Sequence, residues 1–301
     1  MPRTSTQMQS SYGIHPTHRL PDETRVGAVT LQVSDLPRSV DYYESVLGMA
    51  VLEHEDKLAR LGVAGTGQTL AILREKPGIA RAPRGGRFGL YHFALLLPDR
   101  PSLGRFAAHL FSSGVRPGMA DHAVSEALYL TDPDGLGIEV YADRPRSSWA
   151  QQGDELVMVT DPLDIADVIA AGQGEAWTQM PSGTVMGHIH LHVGDIGAAE
   201  AFYHAALGFD ETVWSYPGAL FMSAGGYHHH VATNIWSPGP SAREDEAQLL
   251  EWALVVPDAA EAPQVARRIS GAGYTVSQVG LTWLAADPWG TSVRIEAALA
   301  Q

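Results

Sequence analysis

The chain repeats itself. Residues 27–48, GAVTLQVSDLPRSVDYYESVLG, align without a gap on residues 187–208, GHIHLHVGDIGAAEAFYHAALG, at a constant offset of 160. Gly27, Leu31, Val33, Asp35, Tyr43, Leu47 and Gly48 meet Gly187, Leu191, Val193, Asp195, Tyr203, Leu207 and Gly208. Seven identities over 22 positions mark an internal duplication. Each copy opens with alternating apolar residues, the period of a strand. It continues at helical spacing, with Asp35 or Ser34 as the cap and Gly48 as the stop.

A shorter echo lies inside each half. His92-Phe93-Ala94 with Pro98-Asp99 falls on Glu251-Trp252-Ala253 with Pro257-Asp258, at an offset of 159. Each copy then runs into a helix and closes on a DP-x-G turn, at Asp132 and Asp287. The expected architecture is α+β. Four strand-helix-strand-strand-strand (βαβββ) modules are paired into two domains, 25–145 and 185–298, and a linker over 146–184 carries a short helix, 161–171. Residues 1–24 are polar and aperiodic and read as a tail, or an arm that packs on a neighbour.

Length and charge narrow the partners. At 301 residues the chain can bury two ordinary cores. A formal net charge of −14 with no basic run argues against nucleic acid. No apolar run approaches the ~20 residues of a membrane span, and the N-terminus lacks an apolar signal core, so a cytoplasmic location is expected. With no cysteine, any metal must be held by nitrogen and oxygen. Oligomeric state, homo-oligomer included, stays open.

The polar residues that could carry chemistry cluster in three places. The first is the stretch from His122 to Glu139. It reads as a strand, a type I turn at Asp132-Pro133-Asp134-Gly135 and a second strand, either as a surface hairpin or as the edge of a site. In the second, His188, His190 and His192 alternate with aliphatics, so the three imidazoles share one face. At ~3.3 Å per residue His188 and His192 are roughly 13 Å apart and cannot share an ion. The third is His228-His229-His230, whose consecutive side chains cannot all converge if they lie on a strand.

His122, Leu128-Tyr129, Asp132-Pro133, Gly135 and Glu139, at their spacing, resemble the signature of extradiol ring-cleavage dioxygenases of the vicinal oxygen chelate superfamily. The pattern departs upstream, where Ala120 stands in place of the usual residue. GLYHFALLLPDR, YADRPR, GHIHLHV and GGYHHH extend the likeness to two-domain bacterial catechol-2,3-dioxygenases. The resemblance implies curved sheets of paired modules cupping a metal, with ligands on the first and last strands of a module. The set expected here is a 2-His-1-carboxylate triad of His92, Glu139 and His188 around Fe(II) or Mn(II). It departs from the commoner dioxygenase layout, with all three ligands in the C-terminal domain; the alternative is two incomplete sites. The implied partners are a catecholic substrate and O₂. His229 or His230 would be the acid-base group, a choice the sequence leaves open. Tyr129 and His122 would hydrogen-bond the substrate.

The same positions in the outer modules are Ala28, Glu251 and Arg294, which cannot complete a cation site. The expectation is therefore one site, shared by the second and third modules. Two alternatives use the same modules: a glyoxalase-type lyase or isomerase with four protein ligands, His230 as the fourth, and a metal-free drug-binding protein.

Overall fold

The computed structural model describes residues 12–298. Four βαβββ modules are present, and their sixteen strands form two eight-stranded sheets. The sheets run across the sequence halves. The first module (strands Arg25–Val33, Ala50–Glu55, Leu58–Gly62 and Thr69–Glu75) joins the fourth (Gln248–Val256, Val276–Val279, Thr282–Ala286 and Ser292–Ala297). The second (Gly89–Leu96, Gly118–Asp121, Ser125–Thr131 and Gly137–Asp143) joins the third (Val185–His192, Asp210–Val213, Ala219–Ser223 and Val231–Asn234). In each sheet the two first strands lie antiparallel at the centre, and each is flanked by the last strand of its own module, running parallel.

Period two sorts the side chains as the sequence reading expects. Phe93, Leu95, Ile189 and Leu191 enter a large buried apolar cluster with helix residues Tyr43, Phe106 and Phe202. His92, Ala94, His188 and His190 take the opposite face, which curves into a cup. Asp35 and Asp195 cap the repeated helices, accepting from the Arg38 and Ala198 N–H groups at 3.0 and 2.8 Å. In the third module the helix widens into a π-helical stretch, Glu200–Leu207, before Gly208 ends it with φ +108°.

The DP-x-G turns tie the halves together internally. The Oδ1 of Asp132 accepts the N–H groups of Asp134 and Leu136, and its Oδ2 receives the Tyr43 hydroxyl from the first-module helix. Asp287 repeats this with Trp289, Thr291 and Tyr203, the last at 2.8 Å. The Tyr43/Tyr203 identity of the repeat is thus a helix-to-turn latch. Removing one buried hydroxyl leaves Asp287 short of a partner, at a cost of about 1–3 kcal/mol. Tyr203→Phe should therefore lower the melting temperature by roughly 2–6 °C, read by circular dichroism. An unchanged midpoint would show that the latch contributes nothing.

The linker helix is Ile165–Ala171, capped by Asp164, and packs on the second-module helix Arg100–Ser112. Gly104 permits the approach, since a Cβ there would lie 2.3 Å from the Val168 carbonyl. Of the N-terminal segment, residues 1–11 lie outside the described residues. Residues from Tyr12 onward pack on the chain's own third module: Arg19 and His15 pair with Asp210, and the Tyr12 hydroxyl donates to the Gly226 carbonyl. No helix among the described residues is long and apolar enough to cross a membrane.

Candidate metal centre

Strand register brings three donors from two modules to one point. Ala94 pairs with Glu139 on one side and with His188 on the other, while His92 lies opposite His190. The Oε2 of Glu139 sits 2.9 Å from His92 Nε2 and 3.2 Å from His188 Nε2, and the two Nε2 atoms are 3.4 Å apart. Donors about 2.1 Å from one ion and roughly 90° apart would be separated by about 3 Å. The set fits a metal. All three side chains are buried.

The electrostatics suit the same role. Burial alone would push the Glu139 carboxyl up, but the charge and hydrogen bonds of His188 and His92 hold it well below the usual carboxylate range. Burial pushes His188 down to about 4, against the pull of Glu139. An ionised carboxylate and a neutral imidazole are the protonation states a cation requires. His188 Nδ1 is buried without a hydrogen-bond partner. Ligating imidazoles usually donate that second N–H, so this departs from expectation. The His229 ring covers this imidazole instead, centroid to centroid 4.0 Å.

The corresponding positions elsewhere explain why a single such donor set occurs among the described residues. The residue parallel to Ala94 is Glu139; parallel to its counterpart His190 is Ala232. In the other sheet the equivalents are Ile72, opposite Thr30, and Arg294, opposite Ala253. Arg294 makes a two-pronged ion pair with Glu251, 2.9 and 2.7 Å, which fills the place a cation would take. Ala28, Ile72 and this ion pair leave the first and fourth modules without a donor set. Ala232 leaves the working cup with three donors and an apolar fourth corner.

Around the triad is a cavity of about 340 Å³, lined among others by Tyr91, His122, Tyr129, His190, Phe221, His229 and Trp236. A wider basin bearing Arg81, Arg84 and Arg87 shares Tyr91, His92 and Tyr129 with it. His122 Nδ1 donates to the Val159 carbonyl at 2.6 Å, and its Nε2 receives the Tyr129 hydroxyl, also at 2.6 Å. Burial and the neighbouring Glu139 carry the Tyr129 pKa well above its ordinary value. His190 Nε2 accepts from the Asn234 amide, whose oxygen takes the His192 N–H.

The three consecutive histidines separate. His229 lines the cavity, while His230 turns away: its Nδ1 accepts the Ala224 N–H, and its ring stacks on Phe209, part of the helix-side core. Burial lowers both, His229 well below the usual histidine range and His230 to about 3. Gly225 and Gly226, at φ +61° and +62°, break strand alternation just before the run, so period two does not govern it. The sequence reading missed Asp143, whose Oδ1 lies 3.0 Å from His228 Nε2. Strand period offered a signal, since Glu139, Tyr141 and Asp143 share a face.

The model of the Glyoxalase/Bleomycin resistance protein/Dioxygenase superfamily matches residues 25–140 and 185–291. The chain belongs to that superfamily. It is 43% identical over 272 residues to a catechol-2,3-dioxygenase of Bacillus subtilis (strain 168), covering 89% of this chain and 95% of that one. That kinship over nearly the whole of both chains makes it an enzyme of the superfamily's dioxygenase branch. It is 26% identical over 162 residues to biphenyl-2,3-diol 1,2-dioxygenase 3 of Rhodococcus globerulus, over 50% of this chain and 85% of that one. The crystal structure of glyoxalase I from Zea mays shares the fold, with a TM-score of 0.54 at 18% identity over 91% of this chain and 92% of that one.

Proposed function

We propose that the chain is an extradiol ring-cleavage dioxygenase that acts on a catecholic substrate with Fe(II) held by His92, Glu139 and His188. Mn(II) is the substitute the same donors accept. The observation that carries this reading is the three-donor cup with Ala232 at its fourth corner, in a chain whose near full-length relative is a catechol-2,3-dioxygenase. When bound, the ion supplies a chelating point for two vicinal oxygens and a path for electrons to O₂. Four-ligand lyase chemistry lacks its fourth donor here, since Ala232 has none and His230 faces the other way.

The chain's own residues do the rest. Tyr91, Tyr216, Phe221 and Trp236 form aromatic walls that suit a planar ring. His229, neutral through burial, takes a phenolic proton from the substrate and returns it as the ring opens. Tyr129 keeps its proton and donates it in the hydrogen bond to His122 Nε2, so its oxygen lines the cavity as an acceptor for a substrate hydroxyl. The test is to reconstitute the protein with Fe(II) under anaerobic conditions, add catechol, then admit O₂. The yellow ring-opened product should appear with oxygen consumed one for one. Iron bound at one equivalent with no oxygen uptake across mono-substituted catechols would count against the reading.

A further inference from the structure

Behind the cavity wall a polar chain, buried except at its half-buried Asp143 end, leads to His229, and the proposed function leaves its other members unused. Asp143 ends the strand that carries Glu139, in the second module. Its Oδ1 lies 3.0 Å from Nε2 of His228, in the third. His228 Nδ1 in turn lies 2.7 Å from His229 Nδ1. His228 is fully buried, and its ring is enclosed by Tyr141, Trp149 and Tyr227. The Tyr227 hydroxyl donates to Asp143 at 3.2 Å and meets that of Tyr141 at 2.7 Å. The Tyr141 hydroxyl fits only because residue 187 is glycine: a Cβ there would stand 1.9 Å from it.

Proton bookkeeping along this chain has one solution for neutral rings. A carboxylate only accepts, so His228 must donate from Nε2. That leaves His228 Nδ1 as a lone pair, and two lone pairs cannot face each other at hydrogen-bond distance. His229 must therefore carry its proton on Nδ1. Its Nε2, on the ring that lines the cavity, is then the lone pair. We infer that Asp143 and His228 are positioning residues that lock His229 in the Nδ1–H tautomer, so that its Nε2 is held as the base facing the substrate. A histidine without such a partner favours the opposite tautomer and would turn an N–H toward the substrate. The inference rests on the reading of His229 as the acid-base group, and it adds two residues from opposite modules that act through it.

The decisive measurement needs neither metal nor substrate. In ¹⁵N-histidine-labelled, metal-free protein, two-bond ¹H–¹⁵N correlations distinguish the two tautomers, with His229→Gln and His228→Gln supplying the assignments. His229 should show a protonated Nδ1 and His228 a protonated Nε2; His229 with its proton on Nε2 would overturn the inference. In the iron-loaded enzyme, with catechol as the probe, Asp143→Asn should cut kcat by roughly 10–100-fold, leaving iron content and KM within about twofold. His229→Ala should cost about 10²–10⁴-fold, and Asp143→Asn on top of it should cost nothing further. A full additional loss in that background would make Asp143 merely structural and also overturn the inference. If His229→Ala keeps full turnover with iron bound, the acid-base reading itself fails, and the tautomer spectrum still judges the relay.

Discussion

His188→Ala protein is expected to retain less than about a tenth of the iron of the unaltered chain and to lose ring cleavage by roughly 10³-fold or more, beyond the 10–100-fold that an outer partner is worth. The size follows from where the donors come from. His92 and Glu139 both belong to the second module, and His188 is the third-module member of the triad. Two donors on one side of a buried cup hold an ion by a single edge; the third closes the face. Without it, Glu139 keeps His92 at 2.9 Å as a buried contact that no longer closes the face around an ion. The variant also opens a cavity beside the His229 ring, so melting curves of metal-free protein should fall by only a few degrees. Iron analysis and oxygen uptake should fall together. Full iron with full turnover would mean that the metal sits elsewhere and that the halves do not share a site.

Much of this arrangement was legible in the residues, and what was not has a common cause. The repeat located the modules, the Asp35 and Asp195 caps and the DP-x-G turns, because these depend on neighbours within a few positions. The loss of ligands at Ala28, Glu251 and Arg294 marked the outer modules as inert, and the Glu251–Arg294 ion pair is the physical form of that loss. Which module shares a sheet with which is a different matter. Thr30 pairs with Glu251 and His92 with His190 through contacts between residues far apart in sequence, and identical repeat units carry no label for their partner. The choice between His229 and His230 stayed open because alignment on the following Val231-Ala232 favours one and alignment on Asn234 the other. Two glycines at positive φ just before the run leave strand alternation no help in deciding. Asp143 was hidden by distance, since its partner His228 lies 85 positions away.

Ala232→Glu is expected to keep or strengthen metal binding while lowering ring cleavage by about 100-fold or more. Residue 232 stands to His190 as Glu139 stands to Ala94, so the new carboxylate occupies the corner opposite the existing one. Ala232 is fully buried among Phe221, Val213 and Tyr227. A carboxylate there costs several kcal/mol unless a cation receives it, and that cost favours ligation. Three protein donors leave half of a six-coordinate shell for substrate and O₂; four leave two positions, too few for a chelating catechol and oxygen together. Metal-free Ala232→Glu should melt well below the unaltered chain, and loading should recover most of the difference, because binding stabilises only the folded state. Crowding alone could also slow the reaction, so Ala232→Met, of similar bulk but a poor match for a hard cation, separates the two causes. If the glutamate variant holds its metal and still turns catechol over within tenfold of normal, the open three-donor face is not what makes this cup a dioxygenase site. If the methionine variant is as slow as the glutamate one, space rather than coordination governs that corner.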